Sequence, residues 1–168
     1  WIINEAIKKC KEIQAVIPEF HVNINVSYIQ VIKSNLVKDV TTAIEKYNIN
    51  PSSIIIEMTE SGLLESNKRY MKIWSALKER GVGLALDDFG TGYSSLGLLS
   101  QSPADIIKID RLFISFINDK DHSFNRSFIE AVIKLCHSVG ISVCVEGVEY
   151  IDELNTVCDM NVDSIQGY

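Results

Sequence analysis

Short apolar runs rich in β-branched residues alternate with longer segments of helical periodicity along the whole sequence. In the run "FHVNINVS", apolar side chains occupy every second position, which is typical of a β-strand. In the segment before it, isoleucine, alanine and valine recur every three to four positions, which is typical of an amphipathic helix. Repeated alternation of the two patterns predicts parallel strands joined by crossover helices, the α/β class.

The predicted elements cover most of the chain. The predicted strands are residues 20–27, 53–58, 83–88, 104–110, 141–147 and 162–168. The predicted helices are residues 2–17, 31–47, 66–80, 94–101, 124–139 and 151–158. Pro18 is placed to end the first helix, and Gly81 and Gly140 are placed to follow the ends of two others.

A polar or charged residue lies at or near the C-terminal end of every predicted strand. These residues are Asn25, Glu57, Asp87, Lys108, Glu146 and Gln166. Their mean spacing is about 28 residues, the length of one βα unit. An open doubly wound sheet concentrates its site at one switch point, whereas a closed (β/α)8 barrel gathers all its strand ends around one site. The pattern therefore favours a barrel of the TIM (β/α)8 type.

A complete barrel of this type needs eight strands and about 250 residues, but this chain of 168 residues has only six predicted strands. We therefore expect a truncated portion of a single domain spanning residues 1–168, without two N-terminal strands and a C-terminal helix. Such a portion would expose two sheet edges, which favours association between copies.

The composition is that of an ordinary globular protein, with 46% hydrophobic and 23% charged residues. A formal charge of −6 argues against general affinity for a nucleic-acid polymer. No apolar stretch approaches the ~18 residues of a membrane span, so we expect no membrane contact from this segment. The four cysteines form no C-x-x-C or zinc pattern and are expected to be reduced thiols, which predicts a cytoplasmic setting.

The strand-end residues form a set rich in oxygen ligands. Asn25, Glu57, the Asp87–Asp88 pair and Glu146 offer amide and carboxylate oxygens, which suit Mg²⁺ or Mn²⁺ rather than zinc. Converging carboxylates without a cation would repel one another. Two ions ~3.5–4 Å apart, sharing a carboxylate such as Asp87, form the arrangement that cleaves phosphodiesters. Lys108 is suited to meet a phosphate or metal-bound water, and Gln166 to orient that water.

Each residue also has a structural interpretation. Glu57 alone could reach solvent at a strand end, Asn25 could bond a turn, and the two aspartates could serve a turn. Lys108 and Glu146 could form a salt bridge. The functional interpretation depends on their joint placement. The three histidines are expected to be structural or exposed, and Cys144 is not expected to be a nucleophile.

Six motifs together resemble the EAL-domain cyclic-di-GMP phosphodiesterases. They are, in chain order, "NINVS", "EMTES", "DDFGTGYSSL", "KIDRLFI", "VEGVE" and "IQGY". The resemblance covers nearly the whole chain, and "DDFGTGYSSL" followed by "KID" is its most specific part. It implies a modified TIM barrel that hydrolyses cyclic di-GMP to linear pGpG with Mg²⁺ or Mn²⁺. It further implies a homodimeric signalling protein in which other domains can supply a membrane anchor.

The resemblance also implies a role for each matching residue. Asn25, Glu57 and Asp87 would bind metal, Asp88 would serve a second ion, and Glu146 would be a metal ligand or the general base. Lys108 would hold the attacking water or the phosphate, Gln166 would complete the water network, and Asp110 would contact substrate. Glu60 would hold the loop from Phe89 to Ser95, which in the family links metal binding to the dimer interface.

The Glu-Ala-Leu signature that names the family does not occur in this chain. We expect it upstream of Trp1, and we therefore expect little hydrolysis from the 168 residues alone. One alternative is a non-catalytic cyclic-di-GMP receptor or interaction module, which would follow if that glutamate is substituted. A weaker alternative is another divalent-metal barrel enzyme that acts on a carbon acid. The glycine loop and the "KID" motif argue against the latter.

Overall fold

The computed structural model describes residues 1–59, 68–91, 103–119 and 123–168 of the chain. These residues form two compact units, 1–85 and 86–168, and each unit is described by itself. Neighbouring strands follow chain order, with β1 beside β2 in the first unit and β4, β5 and β6 side by side in the second. These pairings are parallel, which confirms the predicted α/β class.

The first unit contains helices, a strand pair and the start of a third strand. Its elements are α1 (Ile2–Gln14), β1 (Val22–Asn25), α2 (Tyr28–Lys33), α3 (Leu36–Tyr47), β2 (Ile54–Thr59), α4 (Lys68–Lys78) and the first part of β3 (Gly83–Phe89). β1 ends just before the Ser27 cap of α2. The Ser27 hydroxyl accepts a hydrogen bond from the Gln30 backbone N–H, and the Gln30 side chain accepts one from the Ser27 N–H.

The predicted helix over residues 31–47 is wrong as a single element, because the structure has two helices there. Ser34 is extended, with φ −100° and ψ 179°, and its hydroxyl donates a 2.7 Å hydrogen bond to the Gln30 carbonyl at the end of α2. Asn35 then precedes α3 as its N-cap. The Ser34 side chain thus competes for a backbone hydrogen bond, and residues that do so disfavour a continuous helix.

The core of the first unit lies on one face of β2. Ile54, Ile56 and Met58 alternate along the strand, so they share one face, and all three are fully buried. Helix α4 buries Tyr70 and Trp74, whose rings lie 5.7 Å apart. Fully burying a side chain of the size of isoleucine contributes about 1.5–3 kcal/mol. The opposite face of β2 carries Glu57.

The second unit contains the end of β3 and three further strands. Its other elements are β4 (Ile106–Ile109), the 3-10 turn Arg111–Phe113, α5 (Ser123–Ser138), β5 (Ser142–Val148), α6 (Ile151–Cys158) and β6 (Ser164–Gly167). The predicted bounds of these strands differ from the structure by at most a few residues. The predicted helix over residues 94–101 lies outside the described residues.

The histidines and cysteines that the structure describes have structural positions. His137 Nε2 lies 2.8 Å from Asp163 Oδ2, which also accepts a hydrogen bond from the Val143 backbone N–H. Burial opposes ionisation of Asp163, but these two partners outweigh it and hold the pKa of that carboxyl below its usual range. His21 is exposed, and His122 lies outside the described residues.

All four cysteines are free thiols in the structure. Cys10, Cys136 and Cys144 are buried, and Cys158 is exposed. Burial raises the pKa of the Cys136 thiol to about 11, so this side chain stays protonated and acts as a small apolar group. No helix among the described residues has the length and apolar character that a bilayer crossing requires.

Candidate active site

In the first unit, two polar side chains meet on adjacent strands. Glu57 of β2 is only 2% exposed, and its Oε1 accepts a 2.6 Å hydrogen bond from Asn23 Nδ2 of β1. Asn25 lies directly opposite Glu57 in the parallel ladder and is exposed. The interpretation of Glu57 as a strand-end residue that reaches solvent is therefore wrong. Asn23 was missed, although its alternation with Asn25 in "NINVS" places both on one face.

In the second unit, a buried lysine lies between two carboxylates. Lys108 of β4 is 4% exposed, and its Nζ lies 2.6 Å from Glu146 Oε1 and 3.5 Å from Asp87 Oδ1. The predicted Lys108–Glu146 salt bridge is confirmed. A buried ammonium is stable only when nearby charges and hydrogen bonds replace its hydration. One positive and two negative groups are therefore held close together by three strands, with Asp87 on β3, Lys108 on β4 and Glu146 on β5.

The Asp87–Asp88 pair combines a tight turn with accumulated negative charge. Asp88 has φ 57°, in the left-handed region that aspartate tolerates better than most residues. Its backbone N–H donates to Asp87 Oδ1, and its carbonyl accepts from the Thr91 hydroxyl at 2.9 Å. Burial raises the pKa of the Asp88 carboxyl, and the charges of Asp87 and Asp110 raise it further against the opposing effect of Lys108. A cation at this position would relieve that repulsion.

Gly147 shapes the end of β5 next to Glu146. Glu146 pairs with Gln166 of β6, and the register shifts between Glu146 and Val148 in a β-bulge. Gly147 has φ 75°, and a Cβ at this position would overlap the Cβ of Arg111. The glycine therefore brings the Arg111 turn against β5. Strand and helix periodicity does not predict this contact, and the glycine directly after Glu146 is its signal in the sequence.

The structure also describes two further predicted site residues, Asp110 and Gln166. Asp110 accepts a 2.8 Å hydrogen bond from the Leu112 backbone N–H and so caps the 3-10 turn that begins at Arg111. Its charge also acts on Asp88. Gln166 is exposed in β6. Glu60, and residues 92–95 of the loop that it is predicted to hold, lie outside the described residues.

The available donors suit a hard divalent cation. Asp87, Asp88 and Glu146 supply carboxylate oxygens in the second unit, and Lys108 offsets part of their charge. Within the described ranges, no three side chains of histidine, cysteine, aspartate or glutamate are grouped so that they could hold a metal by themselves. Mg²⁺ is commonly bound by one or two carboxylates, with waters and substrate phosphates filling the remaining positions. The donor chemistry thus fits such an ion without a complete protein cage.

The chain matches a known protein family. A family model described as the EAL domain matches residues 1–168 of the chain. The chain belongs to the EAL domain family. This membership confirms the resemblance seen in "DDFGTGYSSL" and "KID". It also places the chain in the TIM-barrel-like fold class of that family.

Two curated relatives of this EAL chain come from Pseudomonas aeruginosa. The bifunctional diguanylate cyclase/cyclic di-GMP phosphodiesterase MucR is 31% identical over 100% of this chain and 24% of its own length. The cyclic di-GMP phosphodiesterase RocR is 34% identical over 79% of this chain and 33% of its own length. The EAL chain thus spans at most about a third of these relatives.

Solved structures give the same assignment. The PaMucR phosphodiesterase in complex with c-di-GMP superposes with a TM-score of 0.91 at 30% identity, over 99% of this chain and 67% of that one. Klebsiella pneumoniae BlrP1 in a manganese/cy-diGMP complex gives a TM-score of 0.84 at 25% identity, over 99% of this chain and 43% of that one. Relatives of this EAL chain therefore bind cyclic di-GMP, and one of them does so with a divalent metal.

Proposed function

We propose that the protein hydrolyses cyclic di-GMP to linear pGpG with the help of Mg²⁺ or Mn²⁺, most simply as a pair of ions. The observation that carries this proposal is the buried Lys108 ammonium between Glu146 and Asp87. A positive group held among carboxylates at strand ends is suited to a reaction in which negative charge develops on a phosphate. The phosphodiesterase activity in the names of MucR and RocR supports the same reaction.

In this proposal, water adds to one phosphorus atom and the bond from that phosphorus to the ribose 3′ oxygen breaks. The proton that the water loses balances the proton that the leaving 3′ oxygen gains, so the ring opens to pGpG. Lys108 offsets charge on the phosphate, and Glu146 acts as general base for the water or as a metal ligand. Gln166, which pairs with Glu146 across β5 and β6, orients the water. Divalent metal, when bound, polarises the phosphate and lowers the pKa of water.

The metal ligands are assigned from family resemblance and donor chemistry. Asn25, Glu57 and Asp87 would bind metal, and Asp88 would serve a second ion. Asp110 would contact substrate through the turn that it caps, and Glu60 would hold the loop that follows β3. The free thiols support a reducing, cytoplasmic setting, and a homodimer is the assembly that the family resemblance supports.

The test is hydrolysis of cyclic di-GMP by the full-length protein, followed by chromatography of pGpG. We expect turnover with Mg²⁺ or Mn²⁺, none after chelation, and a loss of at least about a hundredfold in Asp87→Asn, because removing one key electrostatic group commonly costs 10²–10³. Asp39→Asn, an exposed aspartate on α3, is the matched control and should keep its activity.

Three results would contradict the proposal. Full activity of Asp87→Asn would remove this residue from the metal site. Undiminished turnover in chelator would exclude metal dependence. Tight binding of cyclic di-GMP with no turnover under any metal would instead favour the non-catalytic receptor.

A further inference from the structure

Two asparagines of β1 lie on the same face of the first unit's strand pair as Glu57. Asn23 and Asn25 alternate with apolar residues along β1, and successive side chains of a strand point to opposite faces. In the parallel ladder, Asn25 lies opposite Glu57 of β2, and Asn23 lies opposite Ile55, two positions earlier. Two amides and one carboxylate therefore share one face of β1 and β2.

Asn23 contacts Glu57 directly. The distance from Asn23 Nδ2 to Glu57 Oε1 is 2.6 Å, which is short for a hydrogen bond from nitrogen to oxygen and typical of one to a charged acceptor. An ionised carboxylate only accepts hydrogen bonds, so the asparagine donates from its NH₂ group. The bond crosses the ladder diagonally, and it holds one oxygen of Glu57 from the neighbouring strand.

The position of Asn23 in a strand indicates that this bond has a purpose beyond local structure. Asparagine is depleted in β-strands, which favour β-branched and aromatic residues. Asn23 is exposed, so it needs no partner on its own account. Glu57 is 2% exposed, and a buried carboxylate does need hydrogen bonds. The bond therefore serves Glu57, and a residue that departs from local propensity in this way is expected at a functional site.

We propose that Asn23 is a positioning residue that orients the Glu57 carboxylate for a divalent cation. The inference rests on the proposed function, which assigns Glu57 as a metal ligand. A hydrogen bond to a ligating carboxylate fixes its orientation, and the loss of such a partner typically weakens metal binding by about ten- to a hundredfold. The two asparagines of β1 then differ in role, because Asn25 is assigned to the cation and Asn23 to the ligand beside it.

A neutral donor suits this position better than a cationic one. A lysine or arginine at residue 23 would satisfy Glu57 but would also offset the negative charge that attracts a cation. The amide of Asn23 holds the carboxylate oxygen without adding a positive charge. Its side chain is also short, so it loses less rotamer freedom on being fixed than a long cationic side chain does.

The experiment measures the dissociation constant of Mn²⁺ for the full-length protein by calorimetry, without substrate. Asn23→Leu removes the donor with little change in side-chain size, whereas Asn23→Gln keeps an amide. We expect Asn23→Leu to weaken Mn²⁺ binding by about ten- to a hundredfold, and Asn23→Gln to weaken it less. Asn155→Leu alters an exposed asparagine on α6, and this matched control should bind Mn²⁺ as the wild type does.

A double-mutant cycle tests whether Asn23 acts through Glu57. Glu57→Gln alone should weaken Mn²⁺ binding, because it removes a charged ligand. Adding Asn23→Leu to Glu57→Gln should then change the dissociation constant by less than about twofold, since a residue that only orients a ligand has no effect once the ligand is gone. Urea denaturation without metal is measured on the same variants. A merely structural role for Asn23 would lower the unfolding midpoint and leave the Mn²⁺ dissociation constant unchanged.

Two results would overturn the positioning role alone. One is a Mn²⁺ dissociation constant for Asn23→Leu within about twofold of the wild type, with turnover of cyclic di-GMP intact. The other is full additivity in the cycle, because Asn23 would then act independently of Glu57. Unchanged Mn²⁺ binding in Glu57→Gln would overturn this role together with the assignment of Glu57 as a ligand. A wild-type protein that neither binds Mn²⁺ nor hydrolyses cyclic di-GMP would overturn both proposals.

Discussion

At the residue scale, Lys108 is the positive group that offsets the charges of two carboxylates in the second unit. Its side chain is 5% exposed, and its ammonium lies against Glu146 and Asp87, whose side chains are 17% and 14% exposed. Such a pair contributes little net stability when both partners are present, because desolvation offsets the attraction. Removing Lys108 is different, since Asp87 and Glu146 then lose the positive group that they share while most of each side chain stays out of water.

Lys108→Met should therefore lower the free energy of unfolding by about 3–5 kcal/mol, the usual cost of breaking a buried ion pair from one side. Urea denaturation at pH 7 measures the change. Lys9→Met is the matched control, because Lys9 pairs with Glu12 at 2.8 Å but is 71% exposed, and its loss should leave the unfolding midpoint unchanged. Equal midpoints for Lys108→Met and the wild type would show that Glu146 and Asp87 need no counter-charge from this lysine.

At the element scale, sequence periodicity located nearly every described helix and strand, but it could not locate their interruptions. The β2 strand and α6 helix were predicted to within a residue, because their patterns depend on local spacing. The break at Ser34 depends on one side-chain hydrogen bond, and the bulge at Gly147 depends on a contact with Arg111, which is distant in sequence. Such contacts leave little trace in periodicity.

Gly140 is a matched control for a substitution at Gly147 in the bulge. Both glycines have nearly the same positive φ, 75° and 76°, but nothing lies within 4 Å of a Cβ added at Gly140. Gly140→Ala should therefore cost only about 1–2 kcal/mol of backbone strain, and Gly147→Ala should cost about 1–3 kcal/mol more through overpacking against Arg111. Thermal unfolding of both variants measures the difference. Equal destabilisation would show that the Arg111 turn moves aside without cost.

At the scale of the whole molecule, the strand-end positions were predictable from the sequence, but the contacts between their side chains were not. All six residues lie at or near the C-terminal ends of strands that the structure describes, as the alternation of strands and helices predicted. The sequence alone does not predict that Glu57 is buried. It also does not predict that Lys108 contacts both Glu146 and Asp87. These facts depend on which neighbouring side chain fills each space, which strand spacing does not encode.

The carboxylates of Asp87, Asp88 and Glu146 predict that a divalent cation stabilises the folded protein. Saturating Mn²⁺, at about a hundred times its dissociation constant, should stabilise the folded protein by about 2.7 kcal/mol, which corresponds to a rise in Tm of about 5–10 °C. Asp87→Asn should lose this rise, whereas Asp39→Asn should keep it. Glu146→Gln separates the two roles assigned to Glu146. If Glu146 is a metal ligand, the variant should lose the rise in Tm on adding Mn²⁺. If it is the general base, the variant should keep that rise and lose turnover. An undiminished rise in Asp87→Asn would mean that manganese binds elsewhere on the chain, and the carboxylates around Lys108 would then have no part in holding it.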